Sequence, residues 1–141
     1  PDAKVTTPIT STIKALKKLD IKKISIFTPY TNAINNSVVN YFKKENISVN
    51  SLTYFDIASD LDIGKVDENY LFEVLSKIDL EDSDALFVSC TALPVLSIID
   101  KLEKKLNKII LSSNQTLIWD ALHLIGNKDP VVGFGKIFEA N

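Results

Sequence analysis

The sequence has no arginine, a single cysteine and a single histidine. Without arginine, a bound anion must be held by backbone N–H groups, hydroxyls, amides or lysine, because no bidentate guanidinium is available. One cysteine cannot pair within the chain, and one cysteine with one histidine cannot build a zinc site. We therefore predict neither an internal disulfide nor a bound metal.

Long apolar stretches are missing as well. No run reaches the ~18 residues of a membrane span, and the N-terminus lacks the layout of a signal peptide. With its free thiol, the protein is expected to be cytoplasmic and to bind no membrane. Methionine is absent and the first residue is Pro1, so we also expect the natural protein to have further residues on the N-terminal side.

The composition indicates one globular domain over residues 1–141, since 45% of the residues are hydrophobic and 24% are charged. A chain of this length can bury roughly two-thirds of the surface that it exposes when unfolded. The net charge is −2, and the lysines are not gathered on one helical face among aromatic residues. Nucleic acid is therefore not an expected partner.

The spacing of apolar residues predicts helices and strands that alternate along the chain. The predicted helices cover 8–19, 32–45, 67–78, 94–106 and 113–125, and the predicted strands cover 23–27, 47–55, 85–88 and 108–111. Short connections between such elements predict an open, parallel four-stranded sheet of order 2-1-3-4 with helices on both faces, a Rossmann or flavodoxin-like α/β fold. We predict a polar loop over 56–66 and an irregular tail over 127–141.

Two of these strands differ in their pattern. The continuous apolar run at 85–88 predicts a central strand that is covered on both faces. The segment 47–55 alternates apolar and polar residues with one slip of register, which predicts a strand nearer an edge.

The segments that follow three of the predicted strands are rich in hydroxyls and amides. They are 28–32, 89–92 and 112–115, and none contains a charged side chain. Ligands of parallel sheets bind at the carboxyl ends of strands where the strand order reverses. Each segment is also predicted to open a helix, whose free N–H groups could hold a carboxylate or phosphate. The candidate ligand-binding residues are Tyr30, Thr31, Thr91, Ser113 and Asn114.

Cys90 is the one strong nucleophile or acid–base group in these segments. At the predicted helix N-terminus its thiolate would be stabilised, and we expect the thiol to be partly exposed. A free cysteine at the end of a core strand is also commonly buried and inert. We expect Tyr30, Cys90 and Ser113 to face one cavity if Cys90 is functional.

Simpler structural roles remain open for the other candidates. Tyr30 could be a packed aromatic residue, and Ser113 and Asn114 could cap the last helix. We predict that Trp119 belongs to the core and that His123 is half-buried or exposed without a catalytic part.

Residues 22–49 and 84–126, which contain TPYT, SCTAL and SSNQ in that order, resemble the maleate cis-trans isomerase and arylmalonate decarboxylase branch of the aspartate/glutamate racemase superfamily. The resemblance implies two similar α/β halves with the active site between them, of which this chain matches the second. It implies that Cys90 is a general acid that protonates a substrate carbon. It also implies that Tyr30 contacts a substrate carboxylate and that Asn114 supports the site.

The function implied by this resemblance is a cofactor-independent isomerase or racemase that acts on a small mono- or dicarboxylate. The alternatives are an arylmalonate decarboxylase-like lyase with one thiol and a non-catalytic module for carboxylate binding or dimerisation. The cysteine of the first half is not among these residues. We therefore expect an incomplete site that needs a missing N-terminal half or a homo-oligomer.

Overall fold

The computed structural model describes residues 3–127 and 129–139. Its helices are α1 (Pro8–Lys18), α2 (Asn32–Lys44), α3 (Asp60–Ile63), α4 (Glu68–Leu75), α5 (Ile99–Leu106) and α6 (Ser113–Leu124), and its strands are β1 (Lys23–Thr28), β2 (Ser48–Tyr54), β3 (Ala85–Val88) and β4 (Ile109–Ser112). The strands form a parallel sheet of order β2-β1-β3-β4, as predicted. None of the helices in the described residues has the length and hydropathy of a membrane span.

The sheet places the most apolar strand in its interior. Every residue of β3 is buried between β1 and β4. β2 lies at an edge and is partly exposed. The register between β1 and β2 shifts at one point, because Ile24 pairs with Val49 and Ser25 pairs with Ser51. This irregularity is the slip that the alternation of 47–55 predicted.

Helices cover both faces of the sheet. The core on one face includes Leu16 of α1, Phe42 of α2 and Trp119 of α6. The core on the other face includes Ile63, Leu71 and Leu102, which belong to α3, α4 and α5. The predicted two-sided α/β arrangement is confirmed. Trp119 is buried and His123 is half-buried, as expected.

The helix predicted at 94–106 begins later than expected. One turn of 3-10 helix covers Leu96–Ile98, and α5 begins only at Ile99. The Val95 N–H donates to the Leu93 carbonyl oxygen at 2.9 Å, which closes a three-residue turn in place of the first turn of an α-helix. Leu93 and Val95 are both buried in this turn.

Two segments predicted to be irregular contain short helices. Ile63 anchors α3 in the core, within the predicted loop at 56–66. In the predicted tail at 127–141, a 3-10 turn over Lys136–Phe138 buries Ile137 and Phe138. Lys128, Ala140 and Asn141 of that tail lie outside the described residues, as do Pro1 and Asp2.

A buried carboxylate joins the N-terminal part of the chain to α6. Asp120 is 4% exposed and accepts hydrogen bonds from Lys14 at 2.7 Å, from Thr6, and from Ser11 at 3.5 Å. Burial alone would raise the pKa of Asp120, but the bonds from these three partners outweigh burial and hold the pKa below its ordinary value. Because the pKa is lowered by folding, this carboxylate stabilises the protein at neutral pH.

We predict that Asp120→Asn lowers the free energy of unfolding by about 1–3 kcal/mol at neutral pH, since the half-exposed Lys14 loses its charged partner and the buried hydroxyl donors lose a charged acceptor. The loss should shrink as the pH falls below the ordinary pKa of aspartate, because protonation of the native carboxylate removes the same interactions. Urea unfolding across this pH range measures both effects.

The matched control is Asp100→Asn, which removes an exposed i,i+4 pair with Lys104 on α5. That change should alter stability by less than about 0.5 kcal/mol. Equal losses for the two variants, or a loss at Asp120 that does not depend on pH, would contradict the assigned role of Asp120.

Candidate active site at the carboxyl ends of β1, β3 and β4

The segments that leave β1, β3 and β4 line one cavity of about 480 Å³. Tyr30 follows β1, Cys90 and Thr91 follow β3, and Ser113 begins α6 after β4. The expected meeting of Tyr30, Cys90 and Ser113 at one cavity is thus observed. The cavity lies where the strand order reverses, because β1 neighbours both β2 and β3.

Two predicted ligand-binding residues do not line this cavity. Thr31 is the N-cap residue of α2, and its side chain makes no capping bond. Asn114 donates from Nδ2 to the carbonyl oxygen of Thr91 at 2.9 Å. Asn114 therefore ties the start of α6 to the loop after Cys90, a contact consistent with a supporting part.

The backbone of Cys90 is held in an uncommon conformation. Its φ is 127°, a region that a side chain with Cβ rarely adopts and that costs roughly 1–3 kcal/mol. The Cys90 N–H donates to Ser113 Oγ at 3.1 Å, and Cys90 Sγ accepts from the Ala92 N–H at 3.4 Å. These contacts hold the thiol against the cavity despite the strain.

Two expectations about Cys90 are wrong. The residue does not begin a helix, because α5 starts only at Ile99; the Ala92 N–H, rather than a helix terminus, is the donor at the sulfur. The side chain is also 6% exposed rather than partly open to solvent, since it packs beside the core residues Phe27 and Leu93. The thiol is a buried group that reaches one wall of the cavity.

Tyr30 stands beside the thiol with its phenol protonated. Burial raises the pKa of Tyr30, and the neighbouring Cys90 raises it further, while Ser89 opposes the shift. A phenol that keeps its proton at neutral pH is a hydrogen-bond donor. The cavity therefore presents a donor and a thiol side by side.

The turn that carries Tyr30 is held by Asn35, which the sequence reasoning missed. Asn35 is fully buried; its Nδ2 donates to the Tyr30 carbonyl oxygen at 3.1 Å, and its Oδ1 accepts from the Thr28 hydroxyl. Its signal in the sequence is an amide directly after the apolar residue Ile34, which a helical pattern of apolar residues does not single out.

Part of the predicted apolar face of α2 lines the cavity instead of the core. The spacing of apolar residues predicts Ile34, Val38, Tyr41 and Phe42 on one face of this helix. Phe42 is buried, whereas Ile34 is 50% and Tyr41 is 38% exposed. Ile34, Val38 and Tyr41 form one side of the cavity, together with Pro8 and Ile9 of α1. We call these five residues the apolar rim. The sequence pattern alone could not distinguish a rim from a core.

The described lining residues of the cavity are all neutral. A carboxylate there would meet hydroxyl, phenol and backbone N–H donors, which fits a chain without arginine. Over residues 3–127 and 129–139, no three His, Cys, Asp or Glu side chains gather in a way that could hold a metal ion. The chemistry of the cavity therefore centres on Cys90 and Tyr30.

These features define a class: a parallel α/β domain with a thiol and a protonated phenol at the switch point of its sheet. A family model described as arylmalonate decarboxylase matches residues 2–138. The chain belongs to the arylmalonate decarboxylase family.

Relatives of known activity cover this chain almost completely. A maleate isomerase of Geobacillus stearothermophilus is 27% identical over 126 residues, which are 89% of this chain and 50% of that protein. An arylmalonate decarboxylase of Bordetella bronchiseptica is 24% identical over 137 residues, which are 95% of this chain and 57% of that protein. The chain thus spans about half the length of the curated relatives that it matches, in keeping with the resemblance to one half of a two-half protein.

A solved structure shares the fold. A cysteine-to-serine variant of the Nocardia farcinica maleate cis-trans isomerase, with a covalently bound succinylcysteine intermediate, superposes with a TM-score of 0.88 at 20% identity. The match covers 95% of this chain and 55% of that chain. The predicted relation to the fold of this superfamily branch is confirmed.

We predict that Cys90→Gly is more stable than Cys90→Ala by about 1 kcal/mol or more, because glycine adopts a positive φ without strain. At an unstrained position the order is usually reversed. Urea unfolding of the two variants gives the difference directly. A Cys90→Ala protein as stable as Cys90→Gly would show that the backbone at this position is not strained.

Proposed function

We propose that this domain supplies the proton-donating thiol of a cofactor-independent cis-trans isomerase that acts on a small carboxylate such as maleate. The observation that carries the proposal is the pairing of the Cys90 thiol with the protonated Tyr30 phenol in one neutral cavity. Maleate isomerases among the relatives support this choice of substrate class.

Neutral donors can hold the substrate carboxylate. The Tyr30 phenol and the hydroxyls of Thr91 and Ser113 line the cavity. α2 and α6 both begin at its edge, so the positive ends of their dipoles favour an anion there. A carboxylate held in this way accepts negative charge as the adjacent carbon gains or loses a proton, so the step needs no cofactor.

Cis-trans isomerisation requires the carbon–carbon double bond to become single for a time. The succinylcysteine of the Nocardia farcinica enzyme is what remains when a thiol adds across such a bond. By analogy, a second cysteine would add as its thiolate to one carbon while Cys90 gives its proton to the other and becomes a thiolate itself. After rotation, the Cys90 thiolate takes a proton back from that carbon, the carbon–sulfur bond breaks, and the trans product leaves.

The second thiol must come from outside these residues, because the sequence has one cysteine. The half-exposed Ile34 and Tyr41 of the apolar rim offer a surface for a further α/β half, either from the same protein or from a second copy. Such a half would cover the cavity and exclude water from it. A free thiol with this chemistry fits a reducing compartment such as the cytoplasm.

A decarboxylase is the second candidate, favoured by the matching family model and by the single thiol. Loss of carbon dioxide from an arylmalonate leaves an enediolate that needs one proton on carbon. Cys90 alone could deliver that proton. This reaction requires no second cysteine.

The test is a paired assay of this chain and of the full-length product of its gene, each with and without Cys90→Ala. Maleate, aspartate and phenylmalonate are supplied in turn, and products are followed by NMR. We expect the full-length protein to convert maleate and this chain alone to be slower by about 10²–10⁴-fold or more, because it lacks the second thiol. Lys101→Ala, which changes an exposed residue of α5, controls for effects of mutagenesis and purification on the measured rate.

Two outcomes would overturn the isomerase proposal, and a third would overturn its requirement for a second thiol. Turnover of phenylmalonate but not maleate would favour the decarboxylase. Binding of maleate without turnover of any substrate would indicate a carboxylate-binding module. Full maleate turnover by this chain alone, lost on Cys90→Ala, would indicate a self-contained one-thiol enzyme.

A further inference from the structure

Two buried side chains take the place of a neighbouring strand along the outer edge of β4. The Ile110 N–H donates to Glu103 Oε1 at 3.1 Å, and the Ser112 N–H donates to Gln115 Oε1 at 3.1 Å. Glu103 belongs to α5 and Gln115 to α6, and both are buried. The edge of β4 is therefore closed by side chains rather than by another strand.

The same two side chains bind the C-terminal segment. Glu103 Oε2 accepts from the Lys136 N–H at 2.9 Å, and Gln115 Nε2 donates to the Phe134 carbonyl oxygen at 2.6 Å. Gln115 thus connects residue 134 with Ser112, and Glu103 connects residue 136 with Ile110. The C-terminal segment therefore runs antiparallel to β4. Gly135 lies between them.

Only glycine fits at position 135. Its φ is 93°, and an added Cβ would lie 2.5 Å from Gln115 Nε2 and 2.7 Å from Ile99 Cγ2. Without a side chain at position 135, the C-terminal segment lies close enough to β4 for Glu103 and Gln115 to bond to both. We call Glu103, Gln115 and Gly135 the C-terminal clamp.

Gln115 of the C-terminal clamp is also connected to the cavity through the first turn of α6. Gln115 forms a reciprocal capping box with Ser112, because its own N–H also donates to Ser112 Oγ at 3.2 Å. This box fixes the first turn of α6. The next residue in that turn, Ser113, accepts the Cys90 N–H at 3.1 Å.

We propose that Gln115 is a positioning residue for Cys90. It holds the first turn of α6 between Ser112 and the C-terminal segment, so that the Ser113 hydroxyl stays in place to keep Cys90 in its strained conformation. Its bearing on catalysis rests on the proposed role of Cys90 as proton donor. The positioning itself is a property of the thiol and needs no turnover to be seen.

Loss of this support would change the surroundings of the sulfur. If the Ser113 hydroxyl moves, the backbone of Cys90 can relax from its φ of 127°. The sulfur would then lose the hydrogen bond from the Ala92 N–H that helps to hold it in its buried position. The thiol should then be less protected from solvent and should react faster.

The experiment measures the rate at which iodoacetamide alkylates this chain at one fixed pH, with Cys90 as the sole thiol. The variants are Gln115→Met, Ser113→Ala and the double change. Each single change should raise the rate by about threefold or more, because Cys90 loses its fixed, buried position. The double change should raise the rate no further than the larger single one, because both act on the same contact.

Two further variants separate positioning from general loosening. Gln115→Glu keeps an acceptor for the Ser112 N–H but loses the donor to the Phe134 carbonyl oxygen, so it should raise the alkylation rate less than Gln115→Met does. Glu103→Gln disturbs the other bridge to the C-terminal segment, so it should lower thermal stability without changing the alkylation rate. If Gln115→Met does not fold, Gln115→Asn, which is too short to span Ser112 and Phe134, carries the same expectation.

An unchanged alkylation rate in Gln115→Met, additive effects on the rate in the double variant, or an equal rise in the rate of Glu103→Gln would each overturn the inference. Because alkylation needs no substrate, the result is independent of whether the isomerase proposal holds. A protein that fails to turn over maleate but shows the non-additive pattern would contradict the proposed function alone.

Discussion

One hydrogen bond joins the ends of two neighbouring strands, from the Cys90 N–H to Ser113 Oγ. It holds the backbone of Cys90, whose φ of 127° is uncommon for a residue with a side chain. The bond also brings the loop after β3 and the first turn of α6 to the same cavity. The place of the thiol, the reach of Thr91 and the support from Asn114 all follow from this contact.

The neutral lining of the cavity suits chemistry on carboxylates. A fixed positive side chain would bind a carboxylate tightly in the ground state, whereas hydroxyl and phenol donors can strengthen their bonds as charge develops. Such donors act most strongly where water is excluded. The apolar rim, half-exposed in this chain, is the side from which exclusion of water would come.

Local sequence patterns predicted most of the regular structure. The unbroken apolar run at 85–88 indicated β3, and the alternation with one slip at 47–55 indicated an edge strand. Short crossover connections then predicted one parallel sheet. Where the prediction of elements failed, the structure shows a turn at Leu93–Val95 before α5 and a short helix, α3, whose Ile63 is buried in the core.

The sequence by itself determined the fold class, the family and the segments that meet at the switch point, because each depends on residue types at short spacing. It named Tyr30, Cys90, Thr91 and Ser113 as cavity residues for the same reason. Only the tertiary structure decided that the Cys90 thiol is buried, that α2 offers an open rim, and that the C-terminal segment is bound by Glu103 and Gln115. These features depend on contacts between side chains that are far apart in the sequence. A local pattern of residues does not predict such contacts.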